Sequence, residues 1–176
     1  MYTREPGGSP VAEKLREIVV RDFVTPLTEL LLFVAAREDL RSAVVEPALK
    51  RGVHVISYRA ASSTFAYQLY GRKKLDQLPI LQYLNSLHEV CPTLYIFLDL
   101  DPEEAARRIC LRGGVVDADK FDKESIEFHT RVRQGFKAFP EFEPGVPCYF
   151  VDASQTPDKV LADVLAIMAE HLATFT

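Results

Sequence analysis

At 176 residues and 48% apolar composition, the chain has the length for one compact domain spanning 1–176 with its own core, and is too short for two. Its net charge of −4 comes from 21 basic and 25 acidic residues interspersed along the sequence, which excludes the basic stripe of a nucleic-acid-binding protein. The longest apolar run, Leu30 to Ala36, falls far short of a membrane span, and the amino end is polar rather than signal-like.

Thr3-Arg4-Glu5-Pro6-Gly7-Gly8 opens the chain as a loop, and a helical pattern follows over 11–22. Thr25-Pro26 supplies the cap and first-turn proline of a second helix over 26–50, which Gly52 closes. Phe33 and Arg37 stand four apart on it, so both lie on one face. Taken alone, the pair reads as a core phenylalanine with a solvated arginine; within a site, it offers a flat ring and a fixed fork of donors. Val53-His54-Val55-Ile56 is the first predicted strand, with Arg59 at its end. Ser63-Thr64-Phe65-Ala66-Tyr67-Gln68 occupies the helix that follows, predicted over 62–70, and another helix spans 77–90.

A second strand, Leu94 to Leu98, leads into Asp99-Leu100-Asp101-Pro102. Asp101-Pro102 fits a helix cap followed by a first-turn proline, whereas Asp99 reads equally as structural or as a metal-side carboxylate. The helix over 103–112 carries Arg107, Arg108 and Arg112 toward the paired glycines of a loop at 112–121. A helix over 123–138, a strand from Cys148 to Val151 and a helix over 157–172 opened by Thr156-Pro157 complete the chain. Cys91, Cys110 and Cys148 form no C-x-x-C pair, the pattern of buried thiols in a reducing, cytoplasmic compartment.

The strand runs are almost continuously apolar, which predicts strands covered on both faces. Alternation with helices predicts an α/β fold with a parallel sheet and right-handed crossovers. Ligands of such sheets sit beyond the carboxyl ends of the strands, which groups Arg59, Asp99, Asp101 and Asp152 around one crevice.

The Thr3–Gly8 loop, the Phe33 and Arg37 pair, Arg59, Ala66-Tyr67-Gln68 eight residues on and the Asp99–Pro102 strand end follow one another in an order and spacing that resemble thymidylate kinase, from Thr3 to about Leu172. The resemblance implies a P-loop kinase-type three-layer α/β domain that converts ATP and dTMP to ADP and dTDP on the way to dTTP, with Mg2+, in an assembly that is often a homodimer. By the same resemblance, Arg59 and Arg4 hold the acceptor phosphate, Phe33 stacks on thymine and Arg37 donates to a thymine carbonyl. Thr64 and Gln68 address the base edge, and Tyr67 abuts the sugar. Arg108 and Arg112, beside the 112–121 lid, are the cations for the transferring group, and Asp99 is the candidate on the metal side.

Three features depart from the family pattern. Tyr58 stands where the family usually has an aspartate that supports magnesium, and a neutral phenol is a poor ligand for a hard cation. Lys120 replaces an arginine common in the lid, keeping the charge without the fork. The sequence contains no Gly-Lys pair, so the strand and phosphate-gripping loop that precede this point in the family are expected to be absent, and ATP is expected to bind poorly. Two readings therefore stand together: a dTMP kinase, and a dTMP-binding pseudokinase or truncated fragment that acts through binding or subunit pairing.

Overall fold

The computed structural model of the chain describes residues 1–87, 90–111 and 120–173. It divides into two compact units, the described residues of Met1–Val90 with Asp117–Phe136, and those of Cys91–Val116 with Lys137–Thr176.

In the first unit, β1 (Tyr2–Arg4) pairs in parallel with β2 (Ile56–Tyr58), with Tyr2 opposite Ile56 and Arg4 opposite Tyr58. Parallel strands need a long connection, and helices supply it. Ser9 caps α1 (Pro10–Arg21) by accepting the Ala12 amide at 3.2 Å, and Pro10 fills the first turn, where its missing N–H costs nothing. Thr25 does the same for α2 (Pro26–Leu40), accepting from the Thr28 amide at 3.3 Å. Pro47 cannot donate and its ring crowds the carbonyl four residues back, so the turn ahead of it widens over Arg41–Val45 and the Glu46 N–H reaches Arg41 O. The helix then finishes as α3 (Glu46–Lys50), and Gly52, at φ +73, closes it by donating to Leu49 O at 2.8 Å.

After β2 comes α4 (Ala61–Thr64), which opens into a second widened stretch, Phe65–Gly71, and then α5 (Leu78–Ser86). The helical residues 126–136 cross this widened stretch closely. A Cβ placed at Gly135 would lie 2.8 Å from Ala66 Cα and 2.9 Å from Tyr70 Cβ, so only glycine permits the approach. The core here is Ala66, Phe121, Phe128 and Val132, with Phe33, Tyr67 and Phe136 packed against it.

In the second unit, β3 (Tyr95–Asp99) runs parallel to β4 (Cys148–Asp152), with Asp99 opposite Asp152. Asp101 caps α6 (Pro102–Leu111), its carboxylate accepting the Glu103 amide at 3.0 Å, as the Asp-Pro pair predicts. The last turns of α7 (Ile126–Phe142) bury Phe139, whose ring lies 4.9 Å from Tyr95, and α8 (Pro157–Ala173) ends the unit. Among the described residues, no helix is long and apolar enough to cross a membrane.

The α/β pattern with parallel strands agrees with the sequence reading, while several details correct it. Thr3 and Arg4 belong to a strand rather than a loop, because their alternate burial and pairing with β2 outweigh the local turn signals. The apolar run at 53–56 is not the strand itself: the Val53 N–H completes the helix end by bonding Ala48 O at 3.1 Å, and pairing starts only at Ile56. Ile56, Ser57 and Tyr58 are all exposed, so β2 is not covered on both faces. Cys91 and Cys110 are exposed and Cys148 half-buried, against the expectation of buried thiols.

Candidate functional site

Three residues of α2 occupy successive turns of one face: Glu29, Phe33 and Arg37. Arg37 sits at the upper end with most of its side chain buried. Its Nε donates to Glu5 Oε2 at 2.7 Å and its Nη2 to Thr64 Oγ1 at 2.5 Å, while Nη1 is buried and has no hydrogen-bond partner among the described residues. Glu5 is fixed for this task because its own N–H bonds Tyr58 O at 2.9 Å, continuing the β1–β2 ladder by one step.

Phe33 belongs to an aromatic group centred on Phe121, 6.0 Å away between ring centroids. Tyr67 meets Phe121 edge-on at 5.8 Å and touches Phe128 and Phe136 at 6.1 Å each, so Phe33 and Tyr67 are joined through Phe121. Edge-to-face geometry sets the positive ring edge against the negative face. Arg59 lies over the Tyr67 ring with its guanidinium carbon 4.9 Å from the centroid, and its nitrogens reach Tyr67 Oη at 3.4 Å and Ser63 Oγ at 3.5 Å. Its backbone is left-handed at φ +72, a conformation that costs a non-glycine residue about 1–2 kcal/mol. Ser57 Oγ steadies it by donating to Arg59 O at 2.9 Å.

Gln68 is fully buried and donates from Nε2 to Glu29 Oε1 at 3.0 Å. Arg72 Nε donates to the same carboxylate at 3.1 Å, and Lys120 Nζ approaches Glu29 Oε2 at 2.9 Å. Burial pushes the Glu29 carboxyl upward, but the bonds from Arg72, Lys120 and Gln68 outweigh it and hold the group below the usual carboxylate range. A cavity of about 390 Å³ opens beside this network, lined by Phe23, Pro26, Arg72, Lys120 and Glu124 along with Glu29. None of the predicted nucleoside contacts lines that cavity.

Arg4 ends β1 and grips Glu13 through both carboxylate oxygens at 3.1 and 3.0 Å. The Gly8 N–H bonds the same carboxylate at 2.8 Å and, with Arg4, holds it low despite some burial cost. Gly8 is at φ +85, and a Cβ there would lie 2.7 Å from Leu40 Cδ1, so the turn that aims this amide requires glycine. Arg4 lies opposite Tyr58 in the ladder, one residue before Arg59.

The first unit thus brings together Phe33, Arg37, Arg59, Thr64, Tyr67 and Gln68, with Arg4 anchored on α1. Asp99, Asp101, Asp152 and Arg108 belong to the second unit. There Arg108 Nε donates to Glu104 at 2.8 Å, Nη1 to Ala153 O at 2.9 Å and Nη2 to Ser154 O at 3.1 Å, so this guanidinium ties α6 to the turn after β4. Arg107 and Arg108 together pull the exposed Glu104 carboxyl down to about 2. Arg112 and most of the 112–121 lid lie outside the described residues. Asp99 Oδ2 is 3.5 Å from Lys137 Nζ, Tyr58 offers an exposed phenol, and the described residues contain no group of three His, Cys, Asp or Glu suited to a metal ion.

Sequence reasoning missed Glu5, Glu29 and Phe121. Glu29 was within reach, since it stands one turn before Phe33 on the same face. Phe121 carries no local signal, because its role arises from packing between segments distant in sequence.

Comparison with known proteins places the fold and the family. The family described as "Thymidylate kinase" matches residues 1–164. A thymidylate kinase of Nitratidesulfovibrio vulgaris (strain DP4) is 40% identical over 178 residues, covering 97% of this chain and 79% of the relative. One from Thermoanaerobacter sp. (strain X514) is 32% identical, covering 98% of this chain and 83% of the relative. The crystal structure of thymidylate kinase from Ehrlichia chaffeensis superimposes with a TM-score of 0.72 at 27% identity, covering 96% of this chain and 79% of that one.

Proposed function

Because the chain belongs to the thymidylate kinase family, we propose that it binds dTMP and phosphorylates it with ATP to give dTDP. The observation that carries the reading is the Arg37 guanidinium, whose Nη1 is buried without a partner among the described residues, one helical turn from the ring of Phe33. A buried donor left unmade costs about 1–3 kcal/mol, which a carbonyl of a stacked pyrimidine removes. Thymine stacks on Phe33 and accepts from Arg37, while Thr64 and Gln68 face the base edge and Tyr67 flanks the deoxyribose. Arg59, held at a strained backbone angle, meets the acceptor phosphate through its fork, and Arg4 adds positive charge nearby. Together these groups position the acceptor oxygen, which in phosphoryl transfer accounts for much of the catalytic effect.

A second reading, binding of dTMP without transfer, is favoured by Tyr58, whose phenol stands beside Arg59 where the family resemblance implies a metal-supporting carboxylate. Titration calorimetry with dTMP and a coupled ADP-release assay separate the two. The proposal expects heat with dTMP and ADP released in its presence. Heat without ADP release supports the second reading, and absence of heat overturns both.

A further inference from the structure

The Glu29–Gln68 contact carries a consequence for base selection that rests on the nucleoside pocket proposed above. Gln68 offers either of two ends to a ligand, a carbonyl that accepts or an NH2 that donates, and the two differ by a half-turn of the amide. In this fold the choice is forced. Glu29 is 2% exposed and Gln68 1% exposed, and their side chains meet at 3.0 Å. An ionised carboxylate only accepts hydrogen bonds, so the amide must turn its nitrogen toward Glu29. The carboxylate stays ionised because Arg72 and Lys120 also surround it.

We infer that Glu29 is a positioning residue for base selection: by fixing the Gln68 amide with nitrogen inward, it leaves the carbonyl end as the acceptor offered to the pyrimidine edge, and so favours 4-oxo over 4-amino pyrimidines. The partner in this selection is Arg37, whose Nη1, unpartnered among the described residues, is a donor. Arg37 and Gln68 then present one donor and one acceptor. Thymine and uracil carry the complement, a carbonyl at C4 and an N–H at N3. Cytosine carries the reverse, an amine at C4 and a bare nitrogen at N3, and would leave both protein groups facing like partners. Unpaired buried polar groups are what make such discrimination steep.

The competing possibility is that Glu29 is only a staple tying α2 to the Phe65–Gly71 stretch and to Lys120. Calorimetric dissociation constants for dTMP, dUMP and dCMP distinguish the two roles, measured on the wild-type chain and on Glu29→Gln, Glu29→Asp, Gln68→Met and the Glu29→Gln/Gln68→Met double variant. Glutamine at 29 can donate as well as accept, so the amide of Gln68 is released; aspartate keeps the buried charge but withdraws it from Gln68. Each single variant is expected to reduce the preference for dTMP over dCMP by roughly ten-fold or more, with dUMP following dTMP. The double variant is expected to lose no more preference than Gln68→Met alone, because Glu29 acts through that amide. Arg72→Met removes one Glu29 partner while Lys120 and Gln68 remain on the carboxylate and keep it ionised, and serves as the stability control, with preference retained.

A lowered melting temperature with equal loss of affinity for all three nucleotides overturns the inference, as does an additive effect in the double variant. Should Glu29→Gln fail to fold, Glu29→Asp and Gln68→Met decide on the same criterion. Failure of the wild-type chain to bind dTMP would instead sink the proposed function, so the two failures are distinguishable.

Discussion

Replacing Arg37 with lysine tests the nucleoside pocket at its most specific atom. The arginine places three nitrogens in a rigid plane: one on Glu5, one on Thr64 and one buried without a partner among the described residues. Lysine keeps the charge but brings a single nitrogen on a flexible stem, which can serve Glu5 or Thr64 and leaves nothing for the third direction. In the ligand-free protein, the loss amounts to one charge-assisted bond in a half-buried setting, about 1–3 kcal/mol, or a fall in melting temperature of about 2–4 °C per kcal/mol for a chain of this size. In the complex, the lost bond to a thymine carbonyl contributes about 1.5–3 kcal/mol, which weakens dTMP by roughly 10- to 150-fold. Calorimetry on Arg37→Lys, with circular dichroism to establish the fold, measures both effects on one sample. A folded variant whose dTMP dissociation constant lies within about two-fold of wild type would refute the assignment of the buried nitrogen to the base.

Other substitutions address separate parts of the argument. Arg59→Lys is expected to weaken dTMP by about ten-fold while leaving thymidine unaffected, since only the phosphate uses the arginine fork; equal losses for both ligands would remove Arg59 from the phosphate site. Gly135→Ala places a methyl 2.8 Å from Ala66 Cα and is expected to destabilise the protein by about 1–3 kcal/mol, visible as a lower midpoint in urea; an unchanged midpoint would mean the helices separate at no cost. Glu29 is held below its ordinary value of 4.5, so its stabilising contribution is whole above that pH and is lost as pH falls through the lowered folded value. The melting-temperature gap between wild type and Glu29→Gln should therefore narrow on acidification, and a gap constant from about pH 7 to about pH 3 would contradict the charge assignment.

The sequence made the helices and the acceptor-side residues readable because both rest on short-range chemistry. Thr25-Pro26 and Asp101-Pro102 announce helix starts within a few residues, and the four-residue spacing of Phe33 and Arg37 fixes their common face. The strand at Tyr2–Arg4 was hidden because its reason for existing lies at Ile56–Tyr58, far along the chain, and the strand preference of Tyr2 and Thr3 spans too few residues to outweigh the turn signals of Pro6-Gly7-Gly8. The contacts of Arg108 were hidden for a similar cause. A basic residue near a glycine-rich loop suggests a role in transfer, and only the fold reveals the two turn carbonyls that occupy its nitrogens. Glu5 escaped notice because an acidic residue has no local mark of burial and is recognisable only by the arginine that comes to it from elsewhere, whereas Glu29 at least shares a helix face with Phe33.

The backbone angle at Arg59 sets stability against use. Glycine would occupy φ +72 without strain, and a search for stabilising changes guided by torsion angles alone would nominate this position together with Lys73 at φ +56. Such a variant would relax the peptide by about 1–2 kcal/mol, less the added freedom of glycine in the unfolded chain, and would delete the guanidinium poised over Tyr67. Efforts to harden this protein against heat should therefore leave residue 59 alone, because the discomfort of its main chain is what aims its head group.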